Sequence, residues 1–416
     1  MKKIATSVFE FEDLIRKNML YVDKTSYVWE LVSSGEKSFF LSRPRRFGKS
    51  LLLSTFKAFF QGKKELFKGL DIERLAPEEW ETYPIIHLDL AIGSSYDSKD
   101  AIAEKLKTQV RDVAILLGVD VKQNTPSQMF HDLIFFTYQK YQKQLVILVD
   151  EYDKPILDSI HKPYMNEVLE MMATFYQEIK SANDKERFVF ITGVTKFAHV
   201  SLFSGSNNPM DLTRSDEYAT LLGYTEEELR ENFSEYIDVV AEKFDFTREK
   251  LLENLKLNYN GVRFVSKCES VYNPVSVGNF FVKSKFDNYW ISTGTPHFLL
   301  ELVKDNPFEL NDITQQWVID ESDDKYDLND LDLASVAFQT GYLSVAEWKR
   351  YSPTKWKIRY DFPNIEIRDS WYKNILTIKK NKHYSLKPLL MLLDDDLNNQ
   401  NVDAFMEKVC NFFSGI

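Results

Sequence analysis

The hydrophobic and polar residues in the first half of the chain form short apolar runs, separated by longer segments with helical periodicity. Four runs are rich in β-branched and aromatic residues: "KSFFLS", "YPIIHLDL", "QLVILVDEYD" and "RFVFITGVT". Between and after them, residues 49–60, 101–117, 127–141 and 166–180 have the spacing of helices. Because the runs are continuously apolar, both faces of each strand should be buried. The pattern predicts an α/β fold with a parallel sheet flanked by helices.

After residue 224 the pattern becomes mainly helical. Thr225 and Glu228 have the spacing of a capping box, so a helix should begin there. Helical segments continue to residue 305, interrupted by "YNGVRF", and "DLASVAFQTGYLSVAEWKRYSPTKWKIRYDF" predicts a helix followed by a hairpin turning near Ser352 and Pro353. A helix plus a hairpin is the shape of a winged helix. We therefore predict a core at 1–224, a helical region at 225–305, a winged-helix-like region at 306–362 and a helical segment at 363–416.

Composition narrows the class of protein. The 416 residues are 44% hydrophobic and carry a net charge of -11, which favours an ordinary globular protein and leaves room for at most a local basic groove for nucleic acid. The two cysteines, Cys268 and Cys410, lie far apart, and no His or Cys spacing predicts zinc. No apolar run approaches the ~18 residues that span a bilayer. Acidic residues at positions 10, 12 and 13 interrupt any signal-peptide core. We expect a cytoplasmic protein without a membrane partner.

The segment "FLSRPRRFGKSLLLSTF" nearly matches the phosphate-binding pattern G-x-x-x-x-G-K-[ST]. A loop between a strand and a helix directs backbone N–H groups at an anion. Lys49 would neutralise the β- and γ-phosphates, and the Ser50 hydroxyl would ligate Mg²⁺. An ordinary helix start is the alternative. The candidate nucleotide-binding residues are those of the loop and first helical turn: Arg43, Pro44, Arg45, Arg46, Phe47, Gly48, Lys49, Ser50 and Leu51.

The loop departs from the pattern at its first position, where Arg43 stands in place of glycine. Glycine there permits unusual backbone dihedrals that arginine adopts less freely. The arginine weakens the motif without removing its chemical centre, and it is a candidate to add charge near the phosphates or a neighbouring subunit. Arg45 and Arg46 are either phosphate contacts or solvated loop cations.

An acidic pair, Asp150 and Glu151, follows the most apolar strand, at the carboxyl end where open α/β sheets bind ligands. Asp150 suits a Mg²⁺ shell, and Glu151 is placed to orient or deprotonate an attacking water. A strand lies between the loop and this pair in sequence, as expected for the P-loop class with an additional strand and a catalytic glutamate. The combination predicts nucleotide binding. In "ITGVTK", Thr192, Thr195 or Lys196 is a candidate sensor of the γ-phosphate or the water, and a plain polar loop is the alternative.

Several blocks together resemble the bacterial AAA-ATPase-like family over nearly the whole chain: "YVDKT", "SRPRRFGKSLLLST", "DEYDKPI", "FITGVTKF", "YATLLGYTEEEL", "VYNPVSVGNFF" and "FQTGYL". The family carries "RPRRFGKS", so the resemblance implies that Arg43 is a family feature. It also implies an AAA+ or STAND-like ATPase core, a helical lid and a winged-helix-like region. ATP rather than GTP is implied as the nucleotide, and the sequence has no guanine-reading "NKxD".

The resemblance extends to particular residues. Tyr21, Asp23 and Lys24 are candidates to contact the base or ribose, or to form a packed turn. Arg263 is a candidate lid arginine for the γ-phosphate, and Arg214 a candidate finger for a neighbour's site in an oligomer. Family members typically add a PD-(D/E)XK nuclease-like domain, and the chain stops after "NVDAFMEKVCNFFSGI", about where that domain would begin, so we expect it to be absent here.

Three functions remain open. The first is a Mg²⁺-dependent ATPase acting as a switch or motor for an effector protein or a nuclease-like domain. The second is a non-hydrolysing nucleotide-binding module that contacts DNA or protein through the basic and aromatic hairpin at 341–361, although such hairpins are more often amphipathic with solvated cations. The third is a metal-dependent nuclease using Glu347 and Lys349, with Asp330 or Asp332 upstream.

Overall fold

The computed structural model describes residues 1–378 apart from 7, 9, 79, 92–97, 198–207, 291–298, 300–312, 315–316, 321–332 and 354. The chain divides into two compact units, Met1–Ser370 and Trp371–Ile416. The strands are β1 (Ser38–Ser42), β2 (Ile85–Asp89), β3 (Leu145–Asp150), β4 (Glu186–Gly193), β5 (Met210–Asp211), β6 (Trp317–Asp320), β7 (Ser344–Arg350) and β8 (Trp356–Asp361).

The four helices predicted at 49–60, 101–117, 127–141 and 166–180 are confirmed to within two residues at each end. In chain order they are α1 (Phe11–Arg16), α2 (Thr25–Ser33), α3 (Lys49–Phe60), α4 (Asp71–Leu75), α5 (Lys99–Leu117), α6 (Pro126–Tyr141), α7 (Lys154–Leu157), α8 (Met165–Ser181), α9 (Glu226–Asn232), α10 (Ser234–Lys243), α11 (Arg248–Tyr259), α12 (Pro274–Lys283), α13 (Leu333–Gln339) and α14 (Ile365–Ile378), with a 3-10 helix at Lys64–Phe67. None of the helices within the described ranges is both long enough and apolar enough to cross a membrane.

A parallel sheet forms the centre of the first unit, in the order β2-β3-β4-β1-β5. The α/β class and the four predicted strands are confirmed. The strand between the loop and the acidic pair in sequence is β2, but in the sheet β4 separates β1 from β3. The fifth strand was not predicted, because its two residues are too short to show a pattern. All strands being parallel, β1, β3 and β4 end at one edge of the sheet.

The helix that follows the loop is fixed on the sheet by aromatic packing. Phe56 of α3 lies 4.8 Å from Phe188 and 4.9 Å from Phe190 of β4, measured between ring centroids. Every residue of β3 is buried, as its unbroken apolar run predicts. This packing holds the amino terminus of α3 at the carboxyl edge of the sheet.

The second half contains the predicted helical cluster and hairpin. The capping box at Thr225 and Glu228 is present and starts α9. Helices α9 to α12 share one apolar core, which Val22 of the amino-terminal region joins. Helix α13 precedes the antiparallel hairpin of β7 and β8, and the unpredicted β6 pairs with β8 on its other side. Most of 295–305 and the helical tail predicted beyond residue 378 lie outside the described residues.

Candidate functional site

In the loop after β1, the residues with a left-handed backbone conformation are Arg46 and Gly48, and Arg43 is not one of them. Backbone φ is +70° at Arg46 and +102° at Gly48, whereas Arg43 is not among the residues with positive φ. Gly48 is the N-cap residue of α3. The missing glycine at position 43 therefore imposes no strained φ on this loop.

The side chain of Arg43 is buried under the loop, with 1% of its surface exposed. Its guanidinium donates to the carbonyls of Ser42, Thr213 and Tyr218 at 2.9, 2.7 and 3.1 Å. It also lies 4.0 Å from the ring centroid of Phe264. Burial lowers the pKa of Arg43. These donors serve protein carbonyls, and Arg43 does not line the cleft, so its contacts in this structure differ from the phosphate contact predicted for it.

Lys49, Ser50, Asp150 and Glu151 meet where β1 and β3 end. The Lys49 amine donates to the carbonyls of Arg43 and Pro44 at 3.0 and 3.2 Å, and it lies 3.7 Å from a carboxylate oxygen of Glu151. Ser50 Oγ donates to Asp150 Oδ2 at 2.5 Å. The cluster thus brings one cation, one hydroxyl and two carboxylates together.

Thr192, at the end of β4, joins this cluster. Its hydroxyl is buried and donates to Asp150 Oδ1 at 2.5 Å. The other sensor candidates have protein partners: Thr195 Oγ1 donates to Asp153, and the Lys196 amine lies 2.6 Å from Asp211 Oδ2. Of the three candidates, Thr192 is the one hydrogen-bonded to the acidic pair.

Two further carboxylates lie close to the pair and were not predicted as site residues. Asp89, at the end of β2, is aligned with Asp150 in the sheet. Burial, together with the Asp150 and Glu151 charges, raises the pKa of Asp89 to about 6. Burial and Glu151 likewise raise the pKa of Asp153 to about 6. The signal for Asp89 was its place at the end of "IIHLD", on a strand neighbouring the acidic one.

A cleft of about 240 Å³ opens beside the loop. The residues that line it include the loop and first turn of α3, from Arg46 to Leu52, and Glu151. They also include largely apolar side chains: Ile4, Leu20, Val22, Tyr224, Phe233 and Val275. The lining therefore combines the anion-binding start of a helix with apolar side chains, as a ligand with a charged and an aromatic part requires.

Some residues of "YVDKT" line the cleft, and others make hydrogen bonds that hold a turn. Tyr21 and Lys24 line the cleft, and Tyr21 packs edge-on against Phe11. Lys24 pairs with Glu228 at 2.5 Å. Asp23 accepts from the backbone and hydroxyl of Thr25 and from the backbone N–H of Asp71, with Oδ to donor distances of 2.7 to 2.8 Å. Asp23 thus forms a packed turn, the alternative expected for this block.

Arg263, the candidate lid arginine, and Arg214, the candidate finger for a neighbouring subunit, both contact side chains or carbonyls outside the cleft. Arg263 donates to the carbonyls of Cys268 and Val345 and lies 5.1 Å from the ring of Trp348. Arg214 lies 5.6 Å from the ring of Phe338. Neither residue lines the cleft, so the expected lid-arginine position of Arg263 does not match its contacts in this structure.

The nuclease candidates do not form an acidic metal site in the part of the chain that is described. Glu347 pairs with Arg359 across the hairpin, and Lys349 lies over the Trp317 ring at 3.8 Å. The described ranges contain no group of three His, Cys, Asp or Glu residues that could hold a metal ion. Asp330 and Asp332 lie outside those ranges.

Comparison with known proteins identifies relatives. Residues 5–203 match a family model described as Predicted AAA-ATPase. A protein of Azotobacter chroococcum mcd 1, described as an uncharacterized protein in the vnfD 5' region, is 32% identical over 364 residues. That alignment covers 86% of this chain and 66% of the relative, so the chain spans about two thirds of the relative's length.

A solved structure of the Aeropyrum pernix ORC2 protein, in ADPNP and ADP complexes, aligns with 88% of this chain and 92% of that chain. Its sequence identity is 11% and its TM-score is 0.31. The fold class rests on the strand order and pairing described above.

Proposed function

We propose that this chain, whose residues 5–203 belong to the predicted AAA-ATPase family, binds ATP with Mg²⁺ and hydrolyses it to ADP and phosphate. The observation that carries the proposal is the meeting of Lys49, Ser50, Asp150 and Glu151 at the carboxyl edge of a parallel sheet. A domain that served only as a scaffold would have no need of a buried lysine beside two carboxylates at this edge.

The donors present fit magnesium. Ser50 Oγ and Asp150 Oδ2 are hard oxygen ligands 2.5 Å apart, and Mg²⁺ is usually held by one or two such groups together with water and phosphate oxygens. The ion would offset charge on the β- and γ-phosphates. Thr192 would keep Asp150 oriented through its hydrogen bond to Oδ1. Asp150 is therefore held from two sides.

Lys49 and Glu151 are assigned the remaining roles. The Lys49 amine now donates to two loop carbonyls, and phosphate oxygens would replace those acceptors. Glu151 would orient the water that attacks the γ-phosphorus and accept its proton, while the bond to the β,γ-bridging oxygen breaks. ATP as the nucleotide is inferred from the family, and the apolar side chains that line the cleft are the proposed contacts of the base.

The switch role is supported by two contacts of the region just before β7, one with the phosphate loop and one with the segment after β4. A Cβ atom on Gly341, in the turn between α13 and β7, would lie 2.7 Å from Pro44 Cβ. Gln339 at the end of α13 accepts from the Lys196 N–H at 3.1 Å, just after β4. We propose that the bound nucleotide changes the position of this turn and that an effector or partner protein responds to the change.

We also propose the division into a core at 1–224, a lid at 225–305, a winged-helix-like region at 306–362 and a segment from 363, and a cytoplasmic location.

The contacts of the hairpin do not favour DNA binding as a second function. Lys349 and Lys357 lie over rings of the same region, Trp317 and Tyr351, at 3.8 and 4.2 Å. Arg359 pairs with Glu347. These cations support the amphipathic-hairpin alternative.

Calorimetry with ATP, with and without Mg²⁺, tests the binding half of the proposal. Lys49→Ala should lose binding, and Asp150→Asn should lose the Mg²⁺-dependent part of the affinity, because each removes a charge assigned to the phosphates or the ion. Lys57→Ala, on the same helix α3, is the matched control and should bind like the wild type. Equal affinity in wild type and Lys49→Ala would refute the assigned site.

A further inference from the structure

Glu151 has an unusual backbone conformation for its residue type. Its φ is +52°, in the left-handed region that non-glycine residues rarely adopt. Such a conformation is strained and persists only when the surrounding structure enforces it. The residue assigned to orient the water is therefore held in place by its neighbours.

The neighbours on the carboxyl side are tied to the end of β4. The backbone N–H of Tyr152 donates to the Thr192 carbonyl at 2.9 Å. The Tyr152 hydroxyl donates to the Thr195 carbonyl at 3.0 Å and accepts from the Phe197 N–H at 3.2 Å. A second tyrosine, Tyr176 of α8, donates to the Tyr152 carbonyl at 2.8 Å. Tyr152 is thus fixed along both its backbone and its side chain.

Asp153 accepts three hydrogen bonds from the segment that follows β4. It is fully buried, and its Oδ2 accepts from the N–H groups of Val194 and Thr195 at 3.0 and 2.7 Å and from the Thr195 hydroxyl at 2.7 Å. Hydrogen bonds to an ionised acceptor are about twice as strong as neutral ones. The space is also closed on the strand side, since a Cβ on Gly193 would lie 2.7 Å from Asp153 Oδ1.

We propose that Asp153 is a positioning residue for ATP hydrolysis, which locks the turn after β3 to the segment after β4 and so holds Glu151 in its left-handed conformation beside Lys49. The inference rests on the proposed function. Without the three hydrogen bonds to Asp153, the turn keeps only the Tyr152 bonds to β4 and the segment after it, and Glu151 relaxes toward negative φ. Its carboxylate then leaves the position set by the present backbone, whereas Lys49 and Ser50, in the first turn of α3, keep theirs.

The test compares the variants Asp153→Ala and Asp153→Asn with a variant of another buried carboxyl residue, Glu186, which lies outside the site. Glu186 begins β4, is 3% exposed, and lies about 23 Å along the strand from Gly193 at ~3.3 Å per residue. Glu186→Gln is therefore the matched control for replacing a buried carboxyl group. Thr195→Val, which removes only the hydroxyl donor to Asp153, provides a milder variant if Asp153→Ala does not fold.

Steady-state hydrolysis should separate positioning from general destabilisation. Misplacement of a catalytic group by ~1 Å can cost about a hundredfold in rate. We expect Asp153→Ala to lower kcat by about ten- to a hundredfold with KM and ATP affinity kept. Asp153→Asn, which retains an acceptor oxygen, and Thr195→Val should fall between it and wild type, and Glu186→Gln should match wild type. Because unfolding of part of the sample lowers the apparent kcat and leaves KM unchanged, kcat is calculated per folded protein. An unchanged kcat per folded Asp153→Ala would overturn the proposal.

Amide hydrogen exchange gives a result even if the wild type does not hydrolyse ATP. Loss of the tie should speed exchange at the Tyr152 and Glu151 amides in Asp153→Ala and Asp153→Asn, relative to Glu186→Gln. An inactive wild type would refute the proposed function, and faster exchange would still support the tie. Unchanged exchange at both amides would overturn the inference about Asp153 whatever the activity.

Discussion

Replacing Arg43 with glycine should restore the usual phosphate-loop pattern and yet destabilise the protein. The substitution removes the hydrogen bonds from Arg43 to the carbonyls of Ser42, Thr213 and Tyr218, of which Tyr218 keeps the Leu221 N–H at 3.3 Å. At roughly 1 kcal/mol for each hydrogen bond lost, this costs about 3 kcal/mol. The entropy of a glycine backbone adds about 0.5–1 kcal/mol. Because φ at position 43 is not positive, the glycine relieves no strain in return.

The expected loss of about 4 kcal/mol is a large part of the ~5–15 kcal/mol that stabilises a typical domain. Urea denaturation of wild type and Arg43→Gly should show it as a lower midpoint. Arg45→Gly, two positions along the same loop and only half-buried, is the control for adding a glycine there and should cost less. Arg43→Gly as stable as wild type would refute the structural role assigned to this arginine.

Three further predictions follow from buried positions. Burial raises the pKa of Glu186 to about 8 from its usual 4.5, so the native state holds the proton more tightly than the unfolded chain, and the free energy of unfolding should fall as pH rises between these values. Glu186→Gln should flatten that slope in urea titrations, and an unchanged slope would contradict it. Gly193→Ala places a Cβ 2.5 Å from the Tyr152 ring, so hydrolysis should fall while calorimetric ATP binding stays. Gly341→Ala, at φ +87° and against Pro44, should lower the melting temperature and weaken ATP binding, and unchanged values of both would argue against the contact between turn and loop.

The fold was largely predictable because its strands are unambiguous. The apolar runs at β1, β2, β3 and β4 mark fully or partly buried strands, and their alternation with helices allows few other arrangements. Sequence order did not predict spatial order, since β4 inserts between β1 and β3. Nor could the two residues of β5 or the isolated four of β6 be predicted, because strands this short are defined by their partners rather than by periodicity.

The candidate site was predictable where a motif fixes a chemical role. Lys49, Ser50, Asp150 and Glu151 were all named from two short segments, and they lie together. The arginines could not be placed in this way, because a long side chain reaches in many directions and its contacts come from distant segments. Arg43 binds carbonyls 170 and 175 residues away, and Arg263 binds a carbonyl of β7.

Asp153 shows the opposite difficulty. Its carboxylate stands next to the acidic pair in the sequence and was read only as part of the same segment. Its partners, Val194 and Thr195, follow a different strand and become neighbours only because β3 and β4 pair in parallel. A spacing within one segment cannot show which segment a buried carboxylate will bind.

The central claim is that this chain hydrolyses ATP with Glu151 orienting the water, and the turnover of Glu151→Gln at saturating ATP and Mg²⁺ tests it most directly. Glutamine keeps the size of the side chain and removes its charge. The account predicts phosphate release by the wild type, at least a hundredfold less by Glu151→Gln in line with the ~10²–10⁴-fold contribution of a general base, and ATP affinity kept in calorimetry. Equal turnover by the two proteins, or tight ATP binding by a wild type that releases no phosphate, would contradict it.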